Sequence, residues 1–279
     1  MGLFTASDGV RIAYRDEGAG RPLVFLHGLM AHGGFFRAQD ELAGDFRLIN
    51  IDLRGQGQSP APAESLNVER LAADVAELVE ALDLDGAIGI GWSLGATVLW
   101  NVLAGPAGRR FDGAIVVDMT ARVMNDASWS LGLDPEACEL RSAAMKADFV
   151  AFAAQAGQAI FAQPVAPERQ ADADWASAEF ARNDPAAILA LWESLVALDA
   201  RPLLDRIDHP TLVIHGARSQ LYDDATADHL VRTLANARAV EFAASGHAPQ
   251  IEQAELFNRT IREFAAELRR SPANHTTDV

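Results

Sequence analysis

The chain has 279 residues and is 49% hydrophobic, enough for one large α/β core with a lid or for two ordinary domains. Its formal charge of −16 sets up a negative field that repels phosphate backbones and anionic lipid head groups, which argues against nucleic acid or a membrane as partner. The single cysteine, Cys138, excludes an intrachain disulfide, and the opening MGLFTASDG lacks the basic and apolar stretches of a secretory signal, so a cytoplasmic setting is expected.

In chain order, VRIAYRDEG (Val10 to Gly18) alternates apolar and polar residues as a half-exposed antiparallel strand does. LVFLHG (Leu23 to Gly28) is apolar throughout, like a strand buried on both faces, and FRLINID (Phe46 to Asp52) is a companion. Val68 to Leu82 places Leu71, Val75, Leu78, Val79 and Leu82 on one helical face. AIGIGW (Ala87 to Trp92) is a second buried strand, followed by a helical stretch from Ser93 to Leu103 and a further strand in FDGAIVVD (Phe111 to Asp118). Residues 121 to 200 break this rhythm. They are Ala-rich and helical, and include a helix opened by Asp184 as N-cap with Pro185 at its first position and stopped before Pro202. The alternation resumes at TLVIHG (Thr211 to Gly216) and closes with a helix from about Pro249 to Leu268. SPANHTTDV (Ser271 to Val279) is polar and expected to be flexible. The pattern implies an α/β core over 1–120 and 201–270, a helical cap over 121–200 and a tail over 271–279, with a mostly parallel sheet carrying helices on both faces.

Chemistry concentrates first at Gly91-Trp92-Ser93-Leu94-Gly95, between a buried strand and an amphipathic helix. A serine in a tight strand-to-helix turn adopts a strained backbone, which requires small residues two before and two after it. The hydroxyl then projects above the sheet edge as a nucleophile, and the Leu94 amide is one expected oxyanion donor. The second donor is expected from the Gly-rich turn in VFLHGLMAHGG, at the Leu29 amide. A serine hydroxyl needs a base. Of the seven histidines, His247 stands in a loop after a strand and before the final helix, the late position such a base takes. His27 reads as a histidine bonded to neighbouring loop backbone, and His209, His229 and His275 as structural or solvated.

On HGLMAHGG, IDLRGQGQSP, GWSLGA, DHPTLVIHGARS and SGHAPQIE, which span roughly residues 10 to 265, the chain resembles the α/β-hydrolase superfamily in its serine esterase, lactonase and C–C hydrolase branch. The resemblance implies an eight-stranded, mostly parallel sheet with a helical cap inserted after strand 6, and no metal or organic cofactor. It gives Asp52 and Arg54 a structural role. Relatives usually carry Asp where this chain has Ser219, and a neutral Ser cannot stabilise the imidazolium that forms on His247. Some relatives use an acid one strand earlier, where this chain has Asp118. Asp118 is favoured over Asp223 and Asp224 because a strand end fixes it, whereas those two look like a helix N-terminus, where acids stabilise the dipole anyway. A role for Asp118 as a mere cap on the Thr120 or Ala121 amide stays open.

The expected activity is hydrolysis of an apolar or small carboxylic ester or lactone through an acyl-enzyme, with Ser93, His247 and Asp118 as the triad. The alternatives are C–C bond hydrolysis or cofactor-free perhydrolysis on the same framework. From another class comes a non-catalytic ligand-binding or signalling protein, for which Ser219 is the only support. Metal-dependent lactonase chemistry lacks its H-x-H-x-D-H or H-E-x-x-H ligands. The cap aromatics Trp129, Trp175, Trp192, Phe149, Phe152, Phe161 and Phe180 are expected mostly to pack the cap onto the core, with one or two lining a cleft above Ser93.

Overall fold

A computed structural model describes residues 1–270, so the tail 271–279, with His275, lies outside the described residues. Eight strands form one sheet in the order β1-β2-β4-β3-β5-β6-β7-β8: β1 (Gly2–Thr5), β2 (Arg11–Gly18), β3 (Pro22–Leu26), β4 (Arg47–Ile51), β5 (Ala87–Trp92), β6 (Phe111–Val117), β7 (Thr211–Gly216) and β8 (Ala237–Phe242). β2 runs antiparallel to both neighbours, and every pairing from β4 through β8 is parallel. The fully apolar runs became β3 and β5, in which every residue is buried, because a parallel strand between two helical layers meets no water on either face.

Helices cover both faces. α1 (Val68–Ala81) buries Leu71, Val75, Leu78 and Val79, each side chain contributing roughly 1.5–3 kcal/mol. Asn67 caps it by accepting from Arg70 N at 2.7 Å. α2 (Leu94–Leu103) packs on α1 and β5.

Between β6 and β7 the chain builds the cap: α3 (Pro135–Ala147), α4 (Phe149–Ala159), α5 (Gln170–Phe180), α6 (Pro185–Ala197) and the short α7 (Arg201–Leu204). α4 packs against α5 and α3 against α6. Asp184 caps α6, accepting from the Ala186 and Ala187 amides at 2.8 and 3.3 Å. The two ends of the insertion meet, Ala200 N donating to Ala121 O at 2.9 Å beside an Arg122–Asp199 bridge.

After β7 come α8 (Asp224–Thr233), β8, α9 (Pro249–Glu252) and α10 (Ala254–Arg270). The single closing helix expected from about Pro249 is thus two. Gln253, at φ −128° and ψ 51°, breaks it, because its Oε1 accepts from Ala244 N and Ser245 Oγ, both at 3.0 Å. Among the described residues no helix is long and apolar enough to cross a membrane.

Candidate active site

The loops that follow β3, β5, β6 and β7 leave four adjacent strands at their carboxyl ends, where open α/β sheets bind ligands. Ser93 sits between β5 and α2 at φ 54° and ψ −122°. A non-glycine residue there costs on the order of 1–3 kcal/mol, so the surroundings must impose it. Ser93 N donates to Val117 O at 3.0 Å, and Ala96 N donates to Ser93 O at 2.8 Å. A Cβ at Gly91 would lie 2.5 Å from Gly95 O, and one at Gly95 would lie 2.1 Å from Leu26 O. Neither position accepts a side chain, which is the physical content of the G-x-S-x-G pattern.

Leu94 is the first residue of α2, so its amide belongs to the turn that has no carbonyl partner within the helix. Leu29 lines the same cavity as Ser93 from the loop after β3. That loop is held at Met30, at φ 65°, whose amide donates to Gln56 Oε1 and whose carbonyl accepts from Asn183 Nδ2 of the cap, both at 2.7 Å. His27 supports it from beneath. Its Nδ1 donates to Gly28 O at 2.8 Å and its Nε2 accepts from Leu53 N at 2.9 Å, and burial pushes its pKa down to about 4. Asp52 accepts from the Gly33 and Gln58 amides, and Arg54 is locked onto Asp74 and Asp8.

His247 stands between β8 and α9, buried, with its carbonyl accepting from Trp92 Nε1 at 2.6 Å. Asp118, at the end of β6 with φ 45°, places Oδ2 2.6 Å from His247 Nδ1. The same oxygen accepts from Ser219 Oγ at 2.7 Å, and Oδ1 accepts from Gly216 N at 3.3 Å. The carboxylate thus faces the imidazole rather than capping Thr120 or Ala121. Asp223 instead caps α8, accepting from Thr226 N at 3.3 Å, and Asp224 lies 3.4 Å from His215 Nδ1. His209 bonds Gly108 O and His229 stacks edge-on to Trp129. Met30, Ser93 and Asp118 are three of the four non-glycine residues with positive φ among the described residues.

Ser93, His247 and Leu29 line one cavity of about 130 Å³, which also contains Phe152, Phe180 and Trp192 of the cap. Of the other cap aromatics, Trp175 packs on Phe35 and under Arg37, Trp129 sits against His229, and Phe149 and Phe161 are buried in the packing. A larger polar cleft of about 590 Å³, lined by His32, Asp52, Gln56, Glu179 and Asn183, contains neither Ser93 nor His247. Three features escaped sequence reading. Ser219, which looked like a vacancy, donates to the acid, and Tyr222 lies edge-on to His247 with ring centroids 6.2 Å apart. Burial pushes the Tyr222 phenol pKa upward. Glu252 was also unread: its two carboxyl oxygens accept from Ala162 N of the cap and Gly246 N beside His247, each at 2.7 Å, and burial raises its pKa to about 7.

Among the described residues one trio could share a metal ion, His215, Asp224 and Glu241, with ligand atoms within 4.8 Å of one another. None of them lines the Ser93 cavity.

Three comparisons bear on this geometry. A non-heme chloroperoxidase of Streptomyces lividans is 31% identical over 281 residues, covering 95% of this chain and 99% of that one. A pimeloyl-[acyl-carrier protein] methyl ester esterase of Chromobacterium violaceum is 30% identical over 251 residues, covering 88% and 94%. The structure of an esterase from Exiguobacterium antarcticum superposes with a TM-score of 0.90 at 25% identity, covering 95% of this chain and all of that one. The family model for the alpha/beta hydrolase fold matches residues 21–254, and with the eight-stranded sheet and the cap after β6 it makes this chain a member of the α/β-hydrolase family.

Proposed function

We propose that the protein is a serine hydrolase that cleaves a small, largely apolar carboxylic ester or lactone through an acyl-enzyme. The observation that carries this reading is the 2.6 Å contact of Asp118 with His247 Nδ1 at a cavity whose floor holds Ser93 in a strained turn. With Asp118 accepting from Nδ1–H, the Nε2 lone pair is free to take a proton from the Ser93 hydroxyl. Ser93 Oγ attacks the carbonyl carbon, the Leu29 and Leu94 amides hold the oxyanion, and His247 returns the proton to the leaving alcohol. Water then attacks the acyl-enzyme with His247 as base, releasing the acid and regenerating Ser93. The cavity is close in size to one that holds benzene, about 150 Å³, which favours short acyl groups. The Asp118 pairing also favours this reading over a non-catalytic protein, for which Ser219 was the only support.

The test is turnover of 4-nitrophenyl esters from acetate to octanoate by the wild type and Ser93→Ala. Wild-type kcat/KM is expected to fall with acyl length, and Ser93→Ala to lose at least about 10³-fold. A variant within tenfold of wild type overturns the mechanism.

A second reading is favoured by the relative named as a chloroperoxidase. Hydrogen peroxide in place of water at the acyl-enzyme would give a peracid with the same proton transfers. Bromination of an organic acceptor in carboxylate buffer with peroxide and bromide, abolished in Ser93→Ala, would mark that activity.

A further inference from the structure

The inner face of α3 carries Cys138 and Met145, seven residues apart and both buried, while Glu136, Glu139 and Leu140 face solvent. Arg141 lies three residues after Cys138 and four before Met145, so helical geometry puts its side chain on the inner face. It lines the Ser93 cavity together with Met145, Tyr222 and His247. Burial of the partly exposed Tyr222 phenol raises its pKa, and the Arg141 charge acts in the opposite direction. Among the described residues no carboxylate lines that cavity.

The other arginines of residues 121–200 are paired: Arg122 with Asp126, Arg169 with Asp172 at 3.2 Å, and Arg182 with Glu179 at 3.0 Å. Among the described residues Arg141 has no acidic partner, in a chain whose formal charge is −16. Arg141 is half-buried, and among the described residues the cavity it lines supplies no acidic group to pair with its guanidinium. The counter-ion is therefore to be sought in the ligand.

We propose that Arg141 is a specificity residue that receives a carboxylate on the substrate, so that the natural substrate is an ester or lactone with a second, anionic end. This rests on the serine-hydrolase reading above. A guanidinium binds a carboxylate through two parallel hydrogen bonds, which gives geometry as well as affinity. With a cavity of about 130 Å³, only a few carbons fit between the carbonyl at Ser93 and the carboxylate at Arg141.

The experiment compares kcat/KM for mono-(4-nitrophenyl) glutarate and 4-nitrophenyl butyrate, and for 4-(butyryloxy)benzoate and phenyl butyrate, in the wild type, Arg141→Gln and Arg141→Lys. The result is read as the ratio of anionic to neutral ester, so that a general loss cancels. In at least one pair the wild-type ratio is expected to fall about 10- to 100-fold in Arg141→Gln, mainly through KM, and to be partly kept in Arg141→Lys. A ratio unchanged in both pairs overturns the proposal.

Calorimetric titration of Ser93→Ala with monomethyl glutarate and methyl butyrate, repeated with Arg141→Gln added, separates this from failure of the hydrolase reading, since it needs no turnover. Tighter binding of the glutarate that disappears with Arg141 supports the receptor. Equal binding of the two ligands overturns it.

Discussion

At Asp118 a single carboxylate oxygen accepts from both His247 Nδ1 and Ser219 Oγ, which fixes the side chain's rotamer and its distance to the imidazole. Asn in its place would keep the shape but can present an N–H to Nδ1 and stabilise the wrong tautomer. Asp118→Asn is therefore expected to lower kcat by about 10³–10⁴-fold on any ester the wild type cleaves. Ser219→Ala removes one hydrogen bond to a charged group and should lower kcat about tenfold. Steady-state kinetics of the two variants checks both, and near-normal Asp118→Asn would move the acid elsewhere. Ser93 and His247 were legible because each sits in a local pattern, a strand followed by a glycine-flanked turn and a loop before a closing helix. Ser219 was not, because its partner lies 101 residues away and a hydroxyl at that position has no local signature.

Among the elements, the buried parallel strands were read nearly to the residue, since burial on both faces demands an unbroken apolar run. β1 was missed. It is an edge strand of four residues with exposed Leu3, too short and too wet to leave a pattern. The break at Gln253 was invisible for a different reason. Its helical periodicity continues through the break, and only the side chain's bonds back to Ala244 and Ser245 interrupt it. α6 was legible through its cap chemistry. Asp184→Ala leaves the Ala186 and Ala187 amides unpaired and is expected to cost about 1 kcal/mol, seen as a fall of about 2–4 °C in Tm by calorimetry.

Across the whole molecule, cap and core are joined by Asn183 onto Met30 and by Glu252, which holds the cap's Ala162 and the Gly246 next to His247. Burial raises the Glu252 pKa from 4.5 to about 7, so between those values the folded state binds more protons than the unfolded one. Stability from this group is full below about pH 4.5 and falls as pH rises through 7. Calorimetric melts at pH 5, 6, 7 and 8 should show the wild type losing about 1–3 kcal/mol more across that window than Glu252→Gln does, with allowance for the solvent contact the carboxyl keeps. Parallel slopes would remove Glu252 from this role. The cap itself was legible as a break in strand–helix rhythm, but which of its groups meet the core depends on contacts between residues far apart in the chain, 90 for Ala162 and Glu252 and 153 for Asn183 and Met30.

Met30, Ser93 and Asp118 are each held in a left-handed backbone conformation, and each serves a different part of the same site. The fold therefore spends some of its stability on the geometry of the loop after β3 and of the proposed nucleophile and acid. A lineage selected only for survival in heat would find its easiest gains in replacements that relax these three turns, and its turnover rate would decline with each one.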